Sequence, residues 1–521
     1  MKLEFKEFKI NIDDYGKSLI ELVSQKLKIK ALDIKDLIIE KESIDARNKN
    51  QIMIIYNLVI EIDEIVAGSL LKNKKITKYI DKTPKLEYPV WKEKYRPVIV
   101  GFGPAGMFAA LYLTRCKAKP IIIERGSKME DRILEVEDFI KNKKLNSNSN
   151  VQFGEGGAGT FSDGKLTTNS NNPLIGFILR EFVNYGAPKE IIYQSMPHIG
   201  TDYLRVLIKN MREDLINNGA EFYFNTTFND YEDHKEYLLV KTDRNLEFKT
   251  KHLLLGLGHS ARDTIKMLYN KKIDMEAKSF SMGVRIEHKQ EDINKIQYGK
   301  NYKLLPNATY KMAVHLKDRS VYTFCMCPGG EVVASQSEEN SIVTNGMSYF
   351  MRDNVNSNAA LLVNVDPVDY YVNSVLDGLF YQEKYEQLAF MFSKDYKAPI
   401  NLVKEFMNFQ IANQIRSVKP SYPHGYVFAD FNKCLPEYVV NSLREALPLF
   451  DKKMPGFMND DAVLTGIESR SSSPIRILRD ENRKSNVKMI YPIGEGAGYA
   501  GGIITAAIDG LKTAISISLN G

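Results

Sequence analysis

The chain has 521 residues, with 71 Lys+Arg against 65 Asp+Glu for a formal net charge of +6, and it is 44% hydrophobic and 26% charged. That balance belongs to a globular protein and excludes a disordered, collagen-like or supercharged nucleic-acid-coating chain; at roughly 150 residues per domain, the length calls for about three or four folding units. Four cysteines with no C-x-x-C pair exclude a disulfide framework, and neither a signal-peptide core nor an uncharged run near the ~18 residues of a membrane span is present, so a reducing, cytoplasmic setting without membrane contact is expected.

Residues 1–92 read as a small α+β domain: a strand near Lys2–Ile10, a helix from Asp14 to Leu27, and strands near Leu37–Lys41 and Ile52–Ile62. The Lys-rich, Pro-containing stretch Lys72–Tyr95 reads as a linker. At Arg96 the pattern changes. The apolar run PVIV leads into G-F-G-P-A-G and the apolar helix MFAALYLTRC, and the next run, Pro120–Ile123, ends in Glu124, 23 residues after Gly101.

Thr201–Asn218 is an amphipathic helix with apolar positions 204, 207, 208, 211, 215 and 216. A strand at Glu221–Asn225, a polar β-meander over Tyr231–Thr250, and a buried strand in HLLLGLG (252–258) entering a short helix follow. Ser279–Val365 reads as a run of short strands without helices, hence a mostly antiparallel sheet. A helix at Val368–Phe392, a Pro-punctuated loop at Pro420–Pro436 and a helix at Glu437–Asp451 come next. The last strand, VKMIYPIG, enters a helix ending near Leu519.

Two glycine motifs carry the chemistry. In the first, Gly101 permits a tight turn, Gly103 lets backbone approach a pyrophosphate and Gly106 lets helix pack on strand, with Pro104 and Ala105 opening the helix and Glu124 set to accept from ribose hydroxyls. The second, Gly494-Glu495-Gly496 through Gly501-Gly502-Ile503, lies 393 residues further on, again between strand and helix. There Glu495 is placed to bind a ribityl hydroxyl and the helix N-terminus to face the flavin pyrimidine edge. A second, distal clamp is what FAD needs and NAD does not.

On KESIDAR (41–47), PVIVGFGPAG (97–106), VQFGEGGAGTFSDGKL (151–166), LGHSARD (257–263), FSMGVRIEH (280–288), FCMCPGG (324–330), IESRSSSPIR (467–476) and IGEGAGYAGGI (493–503), the chain resembles the poorly characterised FAD-dependent dehydrogenases or oxidoreductases with an N-terminal α+β domain, within the glutathione-reductase-like superfamily. The resemblance implies non-covalent FAD and a loop at Gly154–Leu166 that touches the isoalloxazine. Small residues there (Gly156, Gly157, Ala158, Gly159) suit a flat ring, with Thr160, Ser162 and Lys165 as donors; a purely structural glycine loop is the rival reading. Arg125, Arg132 and Gly258 complete the candidate cofactor contacts, and Lys165 and Arg470 are the candidate catalytic residues.

The expected fold is α/β: a doubly wound, Rossmann-type FAD domain in two parts (93–275 and 453–521), an antiparallel β substrate domain inserted at 276–452, and the α+β domain of 1–92. The expected function is hydride transfer between flavin N5 and an unidentified small molecule. A flavin monooxygenase, or a flavin-bound RNA- or protein-sensing module acting through the basic N-terminal unit, are the alternatives, nucleic-acid binding being the weaker expectation. NAD(P)H is admitted as a diffusible donor, although GLGHSAR (256–262) lacks the following acid-tipped strand of a second nucleotide fingerprint. Cys325-Met-Cys327 reads either as buried packing or as a redox pair; Arg470–Arg476 reads either as an anion site or as a structural ion-pair loop. No metal-ligating pattern stands out, and the histidines lack zinc spacing.

Overall fold

The computed structural model describes residues 1–81 and 83–520. Lys2–Asn11, Ile34–Asp45, Met53–Ile62 and Ile76–Lys78 form a four-stranded sheet, with Met53–Ile62 and Lys2–Asn11 at its centre. A bulge between Phe5 and Phe8 resets the alternation, so that both rings enter the core despite their odd spacing. The helix begins at Leu19 rather than Asp14, because Gly16 breaks the chain at φ +87° and Ser18 Oγ then caps Glu21 N at 3.4 Å. The expected linker is a strap instead. Ile76–Lys78 is the fourth strand, Glu87 O accepts from Tyr112 Oη at 2.8 Å, and Trp91 N donates to Cys116 O at 2.7 Å. This unit docks by pairing Glu42 with Tyr193 and Ser195.

Five three-residue strands, all parallel, make the next sheet in the order Ile490–Pro492, Leu253–Leu255, Val98–Val100, Ile121–Ile123, Glu221–Tyr223. The middle residues Ile99, Ile122, Leu254 and Tyr491 face a layer of helices, Pro104–Arg115, Leu174–Asn184, Thr201–Asn217 and Ile503–Asn520. The flanking residues Val98, Val100, Ile121, Ile123, Leu253 and Leu255 face the meander of Phe228–Asp233, Leu238–Thr242 and Glu247–Thr250, together with Leu268 of Arg262–Asn270. Burial on both faces is why these strands are continuous apolar runs. Among the described residues no helix is long and apolar enough to cross a membrane.

The third body is a seven-stranded, mainly antiparallel sheet in the order Ala313–His315, Ser320–Cys327, Asn356–Val365, Phe280–Lys289, Val463–Glu468, Ala398–Leu402, Tyr426–Phe428. Three expectations change here. A helix, Gln290–Tyr298, interrupts the run of strands; the helix expected at 368–392 splits into Pro367–Tyr370 and Asp377–Phe390; and Val463–Glu468, expected with the second part of the cofactor domain (453–521), pairs within this sheet. The apolar signal of that last strand is equally suited to either sheet, and only pairing decides. Within this sheet His288 is buried, with Nε2 2.7 Å from Phe457 O.

Gly510 of the last helix lies against the first: an added Cβ would stand 1.9 Å from Ala105 O. Gly510→Ala should therefore cost about 2 kcal/mol through overpacking, a fall of roughly 2–4 °C in thermal midpoint, read by differential scanning calorimetry. Burial also holds His198, His252 and His288 down to about 4. With folded values below the ordinary ~6.5, the unfolded chain binds more protons between those limits, so this contribution to stability is present above about pH 6.5 and is lost as the pH falls toward 4. A thermal midpoint recorded across pH 4–7 should show that decline, and His288→Gln should flatten it.

Candidate functional site

At the carboxyl ends of Val98–Val100, Leu253–Leu255 and Ile490–Pro492, three glycine turns meet so closely that side chains are excluded. A Cβ on Gly101 (φ +90°) would lie 2.3 Å from Gly256 O, and one on Gly496 would lie 2.3 Å from Gly258 O. Gly106 packs its helix back onto Gly101 O. Two helices start here. Gly103 caps Pro104–Arg115 without a side-chain cap; Gly501 and Gly502 precede Ile503–Asn520, and open space surrounds both. The first-turn backbone N–H groups and dipoles of both helices favour negative charge, although Gly501 N itself donates to Thr505 Oγ1 at 3.2 Å.

The segment 156–160 spans these two N-termini. A Cβ on Gly157 would meet Gly103 Cα at 3.1 Å, and one on Gly159 would meet Ile503 Cγ1 at 3.4 Å, while Ala158–Phe161 is a single 3-10 turn. A narrow apolar crevice runs beneath, lined by Pro104, Met107, Thr160, Leu204, Ile208 and Ile503.

Several candidates hold this loop rather than facing outward. The Glu124 carboxylate is buried and accepts three backbone N–H groups, from Phe102 at 2.9 Å, Gly126 at 3.0 Å and Gly154 at 3.0 Å. It does not stand free for a ribose. Arg132, with no exposed surface, donates to the carbonyls of Asn150 (2.9 Å), Val151 (3.0 Å) and Glu155 (2.6 Å), and to Thr160 Oγ1 at 3.3 Å. Burial lowers its pKa to about 10. Thr160 is likewise enclosed. Arg125 stacks on Phe153 at 4.4 Å and bonds Asp263 and Thr264. Glu155, pushed up to about 7 by burial, accepts from Met129 N and Arg212.

Arg470 is a hub of a buried ion cluster. It donates to Glu386 (3.0 and 2.7 Å), Ser337 (2.6 Å), Ser260 (3.1 Å) and Glu338 (3.2 Å), and Glu386 also pairs with Arg262. Every donor of this guanidinium is engaged within the protein, which answers the sequence alternative in favour of the ion-pair loop and removes Arg470 from the candidate catalysts. The paired arginines hold Glu386 far below the usual carboxylate range, against the burial that raises it.

Lys165 differs. Its Nζ is buried without a hydrogen bond; Asp163 Oδ2 lies 3.8 Å away, and both Asp163 oxygens are already taken by Arg352, at 2.9 and 2.6 Å. His259, set aside in the sequence among histidines without zinc spacing, is the residue missed. Its Nδ1 is 3.7 Å from Glu495 Oε1, and its buried Nε2 has no partner. Its position directly after Gly258 was the available signal. The two unsatisfied nitrogens, the Lys165 ammonium and the His259 ring nitrogen, are polar atoms in want of a partner.

Residues 279–471 match the family described as FAD-dependent protein, C-terminal domain-like, and residues 6–61 match a domain of unknown function (DUF8436). An uncharacterised protein of Clostridium beijerinckii is 45% identical over 524 residues, covering 99% of this chain and 98% of that protein. Among solved structures, CtdE in complex with FAD is 13% identical (82% of this chain, 86% of that chain, TM-score 0.33), and the halogenase PltM is 11% identical (82% and 68%, TM-score 0.39). The tetracycline destructase Tet(51) is 9% identical (81% and 80%, TM-score 0.34). These three are loose likenesses in chain path.

Glu124→Gln would turn an amide N–H₂ toward backbone donors that now share two carboxylate oxygens. The expected cost is about 2–3 kcal/mol, and hydrogen exchange should show lost protection at Phe102, Gly126 and Gly154 while distant amides of the seven-stranded sheet are unchanged.

Proposed function

Because the chain belongs to the family of the Clostridium beijerinckii protein, and carries over 279–471 the C-terminal domain of FAD-dependent proteins, we propose that it is an FAD-dependent oxidoreductase acting on a small molecule. The observation that carries the reading is the meeting of three glycine turns and two open helix N-termini at one edge of the parallel sheet. That edge is where open α/β sheets bind ligands, and the order of strands supports reading the sheet as the Rossmann-type half of a two-part cofactor domain, with the wider glutathione-reductase-like kinship as part of the same reading.

The residues fit the cofactor as a set. Gly103, Ala105 and Gly106 supply backbone N–H groups for the pyrophosphate, with Gly101 making the turn and Pro104 opening the helix. Gly501, Gly502 and Ile503 offer the second N-terminus to the flavin pyrimidine edge. Glu495 and His259 provide an acceptor and an unsatisfied nitrogen for the ribityl chain, with Gly258 and Gly494 keeping the floor open. Glu124, Arg125, Arg132 and Thr160 serve indirectly, by fixing the loop that carries Gly156, Gly157, Ala158 and Gly159 against the same space. When bound, FAD supplies two-electron chemistry at N5. Lys165 holds a positive charge beside the ring, where a cation favours added negative charge. The inserted sheet excludes water and forms the substrate side. The 256–262 turn does not offer a second nucleotide cradle, since Gly496 fills it, so a diffusible NAD(P)H donor would have to approach elsewhere.

Purified protein should be yellow and should release FAD into the supernatant on denaturation; a colourless protein that cannot be reconstituted would overturn the reading. In FAD-loaded protein, Lys165→Met should lower the flavin midpoint potential in a spectroelectrochemical titration. Each ~1.4 kcal/mol of lost preference for the reduced form corresponds to about 30 mV. An unchanged potential would move Lys165 away from the ring.

A further inference from the structure

A second group of reactive side chains assembles where the Gly154–Leu166 segment meets the seven-stranded sheet. In the strand Ser320–Cys327, Phe324 stands opposite Ala360 and Cys327 opposite Asn358, so three residues on one strand span two on its neighbour. Cys325 occupies this bulge at φ +41°, a conformation that L residues other than Gly, Asn and Asp seldom adopt. The surroundings hold it there: Cys325 O accepts from Arg285 at 3.0 and 3.3 Å and from Cys327 Sγ at 3.3 Å. A regular strand keeps Cα atoms two apart at about 6.7 Å, the far limit for a disulfide. The bulge takes Cys325 off the regular strand path, and Cys327 Sγ turns back toward it, donating to Cys325 O at 3.3 Å. Cys325 is partly exposed and Cys327 fully buried, as an attacking and a resolving thiol require.

The charges around the pair are asymmetric. Lys165 and Arg285 face it as cations; Asp163, Glu468 and the Tyr310 hydroxyl face it from the loop and the neighbouring strands. Arg352 already pairs Asp163, and Arg285 Nε lies 3.0 Å from Glu468 Oε2, whereas the Lys165 ammonium has no hydrogen bond. The neighbouring Cys327 thiol and the two cations hold the Cys325 thiol well below the usual range despite burial, while the same neighbour and burial push Cys327 up.

We propose that Cys325 and Cys327 form a redox-active dithiol that exchanges with low-molecular-weight disulfides, Cys325 attacking and Cys327 resolving. The Cys325 thiolate attacks one sulfur of R–S–S–R, the S–S bond breaks and RS⁻ leaves. That RS⁻ takes the Cys327 proton, and the new thiolate attacks the Cys325 sulfur of the mixed disulfide and expels a second RS⁻. The protein loses two electrons and the small disulfide gains them. No cofactor enters this exchange, so it stands or falls separately from the flavin reading.

The test uses the reduced, full-length protein with oxidised glutathione, followed by alkylation and peptide mass mapping. The wild type should yield a Cys325–Cys327 disulfide, and Cys327→Ser should accumulate glutathione on Cys325. Iodoacetamide should modify Cys325 at a rate nearly independent of pH between 7 and 9. Lys165→Met should shift that pH profile upward and Lys165→Arg should restore it, which a purely structural lysine would not do. Recovery of both cysteines as free thiols, or a Cys325 rate that climbs through pH 8–9 as an ordinary thiol does, overturns the proposal. Because the wild type alone decides these outcomes, misfolding of a variant does not protect the idea.

Discussion

A single buried carboxylate organises the candidate site. Glu124 accepts N–H groups from the first glycine turn, from the residue two beyond itself and from the glycine-rich loop, so that three segments distant in sequence share one anion. Arg132 completes the arrangement from the opposite side by donating to three carbonyls of the same loop. A loop of this composition has few side chains with which to hold itself. Its shape is set by one acceptor for its N–H groups and one donor for its C=O groups, both removed from water, where such bonds are strong and their loss costly. The placement of segment 156–160 across two helix N-termini follows from that clamp.

The junction with the inserted sheet depends on charge as well. Glu386 between Arg262 and Arg470, and Asp163 with Arg352, are ion pairs with almost no solvent contact on the carboxylate side. Buried pairs of this kind add little net stability over apolar packing, but removal of one partner strands the other. Asp163 and Arg352 join the glycine-rich loop to the segment before Asn356–Val365, in the region that also holds Lys165, Cys325 and Cys327.

The sequence by itself determined the local elements whose signals are short-range. Val98–Val100, the turn after it and the helix from Pro104 were legible because apolar triplets, glycine spacing and a proline at the helix start are read over a few residues. The Thr201–Asn217 helix and the meander were legible for the same reason. Tertiary structure alone decided the destinations. Val463–Glu468 is apolar enough for either sheet, and pairing with Phe280–Lys289 assigns it to the inserted one. Glu124 and Arg470 were visible as charged residues at motif positions, but whether such a group points into a site or into the protein depends on partners as far as 30 and 210 residues away. The orphaned nitrogens of Lys165 and His259 belong to the same class, since an unsatisfied polar atom exists only once the chain has folded and removed water from around it.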